Sequence, residues 1–586
     1  MLNGHPKGLF VLAAANTGER FGYYTMLAIF ALYMQARFGW TSAATSQVFG
    51  IFLAAVYFLP VLGGIIADKF WGYGKTITIG TVIMFVGYLL LAMFGKQEMA
   101  MFGALALIAI GTGFFKGNLQ ALVGNLYDNP KYSKNRDLAF SIFYMCINIG
   151  AFFAPSMADA ITNWVMGKEN LVYNGTIPAL AHQLFDGKLP IDSTGYKDLT
   201  EFALSQGAQI TDVNSLTEFA HHYIDVLCQS YNYGFAVACF SLIASLAIFL
   251  GFKKLYKSAD ATEKQKAAGK GDKDSVIIEL TPKQTKERLT ALGLVFAAVI
   301  FFWMSFHQNG LTLTFFARDY TVSSVTGPTN LLFTLYGSLP IILIFYGLYA
   351  LITGKKTLKP IGIAMIAAFG IILYFVYHNM FVTSTGALVA TPITPQIFQQ
   401  FNPMFIIILT PVFVGLFSWL NSRKKEPSAP RKIGYGMIIA AIGFVVMLVG
   451  SIGLTAPSGL SADPMTDATR VSPYWLINTY LVLTCAELFL SPMGISFVSK
   501  VAPPKYKGLM QGFWFAATAV GNYLVSLIGY LWEKVSLVTL WGILIACCAV
   551  SALFIFSIMK RLEKVTRESE EQLKAAEEAQ RNKNKK

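Results

Sequence analysis

Long apolar segments recur along the whole chain, and they constrain its fold more than any other feature. About fourteen of them are roughly 20 residues or longer, the length that an α-helix needs to cross a bilayer. The segments lie near residues 8–35, 47–67, 76–96, 99–122, 137–160, 231–253, 288–316, 330–353, 359–382, 399–421, 431–453, 473–499, 507–531 and 536–560. Since lipid offers the backbone no hydrogen-bond partners, segments that cross it must satisfy their own, as helices do. The sequence therefore predicts an all-α membrane protein with about 14 transmembrane helices.

Positive charge is unevenly placed among the connections between these segments. Of the 586 residues, 55% are hydrophobic and 13% are charged, yet the net charge is +14. Lys and Arg cluster in alternate loops, at 131–136, 251–288 and 423–432, whereas the long opposite loop at 159–225 is rich in Asp and Glu. The positive-inside rule places the basic loops, and with them both termini, in the cytoplasm. The charge is therefore a signal of topology, and we expect lipid and no nucleic acid as a partner.

Motifs for enzyme chemistry are missing from the sequence. The six cysteines have no CxxC or Cys/His ligand spacing, and five of them lie in apolar segments, where they are expected to be packing residues. There is no GxxxxGK[ST] phosphate loop, no zinc spacing and no Ser/His/Asp grouping along one helix face. We therefore expect a protein that is not an enzyme, with no catalytic residues, no cofactor and no metal.

A charged stretch at 16–24 interrupts the first apolar segment. Asn16, Arg20 and Tyr23 fall on one helix stripe, and Glu19 lies at its edge. An ionised Glu-Arg dipeptide at membrane depth costs several kcal/mol unless it faces protein or a wet cavity. We interpret the stretch as the lining of a solute path. The alternative is an internal ion pair that only holds neighbouring helices together.

The turn after the second segment carries paired glycines, an acid and a base. The pattern reads Tyr57-x-x-Pro60-x-x-Gly63-Gly64, followed by Asp68, Gly72 and Lys75. It resembles the loop motif of the major facilitator superfamily, in which glycine permits close approach of helices.

Further motifs follow in order along the chain. They are GTGFFKGN at 111–118, FSIFYMCINIGA at 140–151, FW at 302–303 before Gln308, NP at 402–403 before Pro411, ELFLSPMG at 487–494, and WF at 514–515 before Gly521-Asn522. Together they resemble the proton-dependent oligopeptide transporter family of the major facilitator superfamily, from residue 8 to about 560. The resemblance implies two six-helix bundles that rock about a site between them.

The resemblance also implies a set of substrate-binding residues. Arg20 and Lys116 are similar to the basic pair that holds the carboxylate of a di- or tripeptide, a task that suits a planar guanidinium. Glu487 is similar to the acid that receives the α-amino group of the peptide. The other implied members are the amides Asn148 and Asn402, the aromatic walls Tyr23, Tyr24, Tyr57 and Trp514, and Ser491.

The chain departs from the family pattern at three charged positions. Asn16 replaces the first acid of the ExxER motif, and Leu27 stands where a second arginine is usual. His307 replaces the acid that normally precedes Gln308. We therefore expect proton coupling to fall on Glu19 or Glu487, modulated by His307; the alternative is that His307 is a neutral hydrogen-bonding residue.

We expect the domains to follow from these segments. They are an N-terminal six-helix bundle (1–160 and 231–253), an extracytoplasmic insertion (161–230) with an amphipathic helix near 216–228, a cytoplasmic linker (254–287), a C-terminal six-helix bundle (288–329 and 399–560), an extra transmembrane hairpin (330–382) and a charged, solvated cytoplasmic tail (561–586).

The predicted function is secondary active transport. The chain is expected to import di- and tripeptides by proton symport through alternating access, in a bacterial inner membrane, with peptides and protons as its ligands. The alternatives are a carrier or facilitator of another small zwitterionic or anionic solute, and a non-transporting peptide sensor.

Overall fold

The described chain is almost entirely helical. The computed structural model describes residues 4–127, 132, 135–260, 280–354, 356–460, 465, 468–503 and 506–583. Within these ranges, thirteen helices are long and apolar enough to cross a membrane. The helix α1 (Lys7–Phe38) adds another 32 residues, and it is less apolar because it carries the stretch 16–24. The prediction of an all-α membrane protein is confirmed.

The first half of the chain forms one helical bundle with an insertion. Its helices after α1 are α2 (Ser42–Ile66), α3 (Tyr73–Phe94), α4 (Glu98–Leu126), α5 (Arg136–Lys168), α6 (Ile177–Phe185), α7 (Thr194–Ser205) and α8 (Val213–Gly251). A π-helical turn at Ala67–Trp71 extends α2. Of the paired glycines predicted to allow close approach of helices, Gly63 does so, because a Cβ there would collide with the carbonyl of Gly113 on α4, whereas Gly64 has open space around it.

The insertion runs into the membrane helix without a break. The sequence predicts an amphipathic helix near 216–228, and this stretch is helical as part of α8, one helix of 39 residues. It begins at a capping box between Asp212 and Ser215, and no glycine or proline interrupts it before Gly234. The amphipathic stretch is therefore the outer part of a long helix.

The second half forms the other bundle. Its helices are α9 (Pro282–Phe306), α10 (Thr312–Asp319), α11 (Leu335–Thr353), α12 (Lys359–Met380), α13 (Phe401–Ser422), α14 (Ala429–Gly450), α15 (Tyr474–Val501), α16 (Lys507–Leu531), α17 (Leu537–Ser557) and α18 (Met559–Lys583). Two-residue strands, β1 (Ser324–Val325) and β2 (Thr391–Pro392), pair antiparallel between them.

The segment expected as one helix at 288–316 is broken. A 3₁₀ turn at His307–Gly310 separates α9 from α10. Asn309-Gly310 is a poor helix former, and Gly310 lies against the ring of Phe49 on α2, where an added Cβ would approach within 3.0 Å. The break places His307 at the end of a helix instead of within one.

The hairpin of α11 and α12 lies at the periphery. Only Gly362 is buried among the described residues of α12, where its backbone meets Gly347 on α11. The rest of α12 presents apolar side chains to its surroundings, as a lipid-facing helix does.

The linker contacts the first bundle at its start. The central part of the expected linker, 261–279, and the basic positions Lys131 and Lys134 lie outside the described residues. At the linker's start, the carboxylate of Asp260 accepts a hydrogen bond of 2.9 Å from the amide of Gly74.

The tail was expected to be solvated, but one face of α18 is buried. Leu562 and Val565 lie in the core, and Glu563 forms an ion pair of 2.6 Å with Arg431. A second ion pair, of 2.9 Å, joins Lys500 to Glu570. The charged composition of the tail hides a short apolar stripe with helical spacing, and this stripe docks it.

Candidate functional site

The charged stretch of α1 forms a buried ion pair. The Arg20 guanidinium donates from Nε to Glu19 Oε2 at 2.5 Å and from Nη2 to Oε1 at 2.8 Å. The side chains are 4% and 1% exposed, so the two charges compensate each other inside the protein. The Arg20 guanidinium carbon also lies 5.0 Å from the centroid of the Tyr23 ring.

Asn16 lies beside this pair on α1. Its side chain is buried, and its Nδ2 has no hydrogen-bond partner among the described residues. The position that the family pattern fills with an acid therefore holds a neutral donor with spare capacity.

Lys116 projects from α4 into the same region. Its Nζ lies 3.7 Å from the centroid of the Tyr57 ring, a cation–π contact, and it interacts electrostatically with Glu19 and Arg20. In the part of the chain that the structure describes, no carboxylate forms an ion pair with Lys116. The site therefore contains a cation that has no carboxylate partner of its own.

Tyr57 links this region to the second half. Its ring meets the ring of His307 edge to face, with 5.7 Å between the ring centroids. The His307 Nδ1 lies 3.2 Å from the carbonyl oxygen of Trp303, the residue one turn earlier. His307 is thus close to Lys116 by way of Tyr57, and its ring stacks within an aromatic cluster.

Glu487 on α15 lies within electrostatic range of Tyr24 and Tyr57 and is held by neutral donors. The Tyr144 hydroxyl of α5 donates to Oε1 at 3.1 Å, and the Asn402 amide of α13 donates to Oε2 at 3.0 Å. The same amide lies 3.0 Å from the Thr484 hydroxyl. Among the described side chains, no Lys, Arg or His forms an ion pair with Glu487. This carboxylate therefore has hydrogen bonds but no counter-charge.

The other expected site residues take varied positions. Tyr24 lies within electrostatic range of Glu487 and contacts the Tyr23 ring at 5.3 Å. Asn148 donates to the Tyr144 carbonyl of its own helix at 3.0 Å, so its amide supports α5. Half-buried Ser491 lies one turn beyond Glu487 on α15.

Trp514 on α16 is a packing neighbour of α15. Its ring covers Gly494, where a Cβ would collide with it, and it meets the Phe296 ring at 6.2 Å. The glycine of the 487–494 motif is thus required by this indole.

Tyr144 and Thr484 were not singled out from the sequence. Tyr144 stands one turn before Asn148 and Thr484 one turn before Glu487, each on the same helix face as the residue that was singled out. That spacing was a usable signal for both.

The arrangement suits a ligand that carries both charges. Glu19, Arg20, Lys116 and Glu487 sum to zero formal charge, and only the first two are paired with each other. A ligand anion at Lys116 and a ligand cation at Glu487 would complete both partial interactions.

Comparisons with known proteins agree on the family. A family model described as the POT family matches residues 74–273 and 372–542, more than half of the chain. The chain is 26% identical over 547 residues to the peptide transporter YePEPT of Yersinia enterocolitica, covering 90% of this chain and 88% of that protein. It is 25% identical over 600 residues to dipeptide and tripeptide permease A of Citrobacter koseri, covering 98% and 96%.

A solved structure shares the fold. The crystal structure of a peptide transporter POT in complex with sulfate matches with a TM-score of 0.64 and 22% identity, covering 96% of each chain. At this identity the likeness concerns the fold alone.

Proposed function

This chain belongs to the POT family, as its motifs led us to expect, and from that premise we propose that it carries di- and tripeptides across a membrane by proton symport. The relatives named above are called peptide transporters and permeases, and they match nearly the full length of the chain. The two bundles would alternate access to the site between them.

One observation carries the proposal: Lys116 and Glu487 both lie near Tyr57, and neither forms an ion pair with a described residue. Among the described residues, Lys116 contacts the π face of Tyr57 and forms no ion pair with a carboxylate, and Glu487 accepts hydrogen bonds from two neutral donors. A short peptide is a zwitterion with its charges at opposite ends, so its carboxylate matches Lys116 and its ammonium matches Glu487. Tyr23, Tyr24, Tyr57 and Trp514 would then lie along its side chains.

Glu487 is also the proposed proton site. A buried carboxylate without a counter-charge is costly, and either a proton or a peptide ammonium lowers that cost. In symport the proton and the peptide have to cross together, so the proton that Glu487 takes up at the outer side is released only at the inner side, together with the peptide. The membrane potential supplies about 2.3 kcal/mol per charge moved across 100 mV, which drives uptake.

The protein is an integral membrane protein with many spanning helices. We propose a bacterial inner membrane with both termini in the cytoplasm, on the strength of the basic loops at 251–288 and 423–432.

The test is uptake of labelled di- and tripeptides into proteoliposomes under an imposed pH gradient and potential. We expect accumulation above the external concentration, and collapse to equilibrium when a protonophore is added. Failure of every short peptide to enter or compete would overturn the substrate proposal. A matched control is the same peptide with its amine acetylated, which should enter poorly.

A facilitator is a second candidate. Asn16, Leu27 and His307 remove charged groups that the family pattern places at the site, and fewer titratable groups favour uncoupled movement. Equilibration without accumulation in the same assay would select this candidate.

A further inference from the structure

Hydrogen bonds join the two halves of the chain at one end of the molecule. We call the end that carries residues 161–230 the outer end. Six hydrogen bonds between described residues cross from one half to the other there. They join Ala28 to Gln399, Gln35 to Arg318, Ser42 to Glu533, Ser156 to Gln400, Asp159 to Thr394 and Thr162 to Gln396. The structure is therefore closed at the outer end.

Arg318 at the end of α10 contributes the basic group to these contacts. Its Nη1 donates to the Gln35 side chain on α1 of the first half. Its Nε and Nη2 donate to the two carboxylate oxygens of the neighbouring Asp319, at 2.6 and 2.7 Å. Arg318 thus has an ion-pair partner in its own half and a neutral partner in the other half.

This division of partners suits a contact that opens. When the halves separate, Arg318 loses Gln35 but keeps the bidentate pair with Asp319. No buried charge is stranded, so opening avoids the penalty that breaking an ion pair would carry. Arg470 keeps the backbone of this corner in place, because its Nη1 donates to the carbonyls of Arg318 and Thr321 at 3.1 and 2.9 Å.

The insertion lies directly on this arginine. The backbone at Gly175 is so close that an added Cβ would lie 2.5 Å from the Arg318 Cγ. Tyr173 neighbours Arg318 and Asp319, and burial raises the pKa of its hydroxyl, which therefore stays neutral beside them. Glycine at 175 is what allows the insertion to reach the second half.

The same segment is tied to the first half. The His182 Nε2 lies 2.8 Å from the Ala36 carbonyl oxygen at the end of α1. The Tyr223 hydroxyl of α8 accepts from the Asn174 amide at 2.8 Å. Residues 173–182 are therefore fixed to the first half and rest on Arg318 of the second half.

We propose that residues 173–182 and Arg318 together form a clasp that holds the outer end closed and has to release once in each transport cycle. The proposal rests on the proposed carrier function. It gives the insertion a role and makes Arg318 a positioning residue, which acts on the cycle without touching the substrate.

The experiment reports the closed outer end by thiol accessibility. The six native cysteines are first replaced by alanine. In this background, Ser156→Cys places a thiol opposite Gln400, at the contact between the two halves at the outer end. A membrane-impermeant maleimide is applied from the side that carries the insertion, without peptide. We expect Gln35→Ala, Gly175→Leu and the double variant Arg318→Ala/Asp319→Ala each to label about tenfold faster than the parent, as loss of a charge-assisted contact predicts.

Matched controls separate the clasp from general damage. Gly167→Leu adds the same side chain at a position with open space around it, and it should label at the parent rate. The double Arg318/Asp319 variant removes the pair together, so no lone charge disturbs folding. Peptide affinity in that variant should stay within about twofold of the parent.

Two results would overturn the proposal: labelling within about twofold of the parent in all three variants, or equally fast labelling in Gly167→Leu. Because the assay needs no peptide, its outcome is independent of whether wild-type protein takes up peptides. Absence of peptide uptake would refute the proposed function and leave the labelling result intact.

Discussion

Glu19 and Glu487 are both buried carboxylates of the same site, but the protein holds them in different ways. Glu19 is bound on both oxygens by the Arg20 guanidinium next to it in sequence. Glu487 is bound by the Tyr144 hydroxyl and the Asn402 amide, which come from different halves of the molecule. One carboxylate is compensated locally, and the other depends on tertiary partners that carry no charge.

From this difference we propose that Glu487 is the functional acid and that Glu19 has a structural role. A proton or an ammonium adds little stabilisation to a carboxylate whose charge a bidentate arginine already compensates. It stabilises a buried carboxylate with neutral donors far more, because the charge of that carboxylate is uncompensated. We had expected coupling on Glu19 or Glu487, and the contacts favour Glu487. They also favour Lys116 over Arg20 as the partner of the peptide carboxylate.

The largest effect is expected from breaking the Glu19–Arg20 pair. Arg20→Ala leaves Glu19 buried without its cation, which should lower the free energy of unfolding by about 3–5 kcal/mol. Thermal unfolding in detergent measures this. The double variant Glu19→Gln/Arg20→Gln should recover most of the loss, and a double variant as unstable as the single one would contradict the local pairing.

The next largest effect is expected at Glu487. Glu487→Gln keeps the shape but removes the charge, so proton-driven peptide uptake should fall about 100-fold, the loss of a charged partner worth about 3 kcal/mol. Uptake into proteoliposomes measures it. Glu570→Gln, an exposed acid on α18, is the control and should transport normally. Near-normal uptake by Glu487→Gln would contradict the functional role that distinguishes Glu487 from Glu19.

Lys116→Ala tests the free cation. Peptides with a free carboxylate should bind about 30-fold more weakly, about 2 kcal/mol, while the corresponding peptide amides should lose little. Equilibrium binding of the two ligand series gives the ratio. Lys500→Ala, far from the site on the surface of α15, is the matched control. Equal loss for both series would mean that Lys116 serves the fold.

Tyr144→Phe tests how much Glu487 depends on its neutral donors. It removes one neutral donor from Glu487, which should weaken peptide binding or uptake about fivefold, equivalent to about 1 kcal/mol. Tyr24→Phe removes a hydroxyl nearby that forms no hydrogen bond to Glu487 among those described, and it serves as the comparison. A Tyr144→Phe variant indistinguishable from wild type would show that Asn402 alone positions the acid.

The smallest effect is expected at His307. Its ring hydrogen-bonds to the Trp303 carbonyl, lies tilted against the Trp303 ring and meets the Tyr57 ring edge to face, which is the environment of a neutral packing residue. His307→Gln should change uptake by less than about threefold and leave its pH profile in place. A displaced pH profile would restore His307 as a coupling residue.

Much of the fold could be predicted because the signals are local. A run of apolar residues long enough to span lipid has to become a helix wherever the chain places it. The polar stretch 16–24 is predicted to line a solute path, and the structure shows that Glu19 pairs with Arg20, its neighbour in sequence. The glycine motifs also predicted close helix packing, and α2 and α4 do approach closely at Gly63 and Gly113.

Only the tertiary structure decided the contacts between distant segments. The sequence did not reveal that Tyr144 and Asn402 meet at Glu487, because each comes from a different helix, Tyr144 from the other half of the chain and Asn402 from a helix 85 residues away. Nor did it show that the helix expected at 288–316 breaks at His307–Gly310, where Gly310 packs on Phe49.

The insertion and the tail make the same point. Composition alone described both as polar appendages, yet Gly175 reaches Arg318 and the stripe of Leu562 and Val565 is buried. Apolar length and charge placement are properties of a single segment, so the sequence determined the helices, their membrane character and the charged groups of the site. Partners are a property of packing, so the structure decided which charges are compensated and which remain free for a ligand.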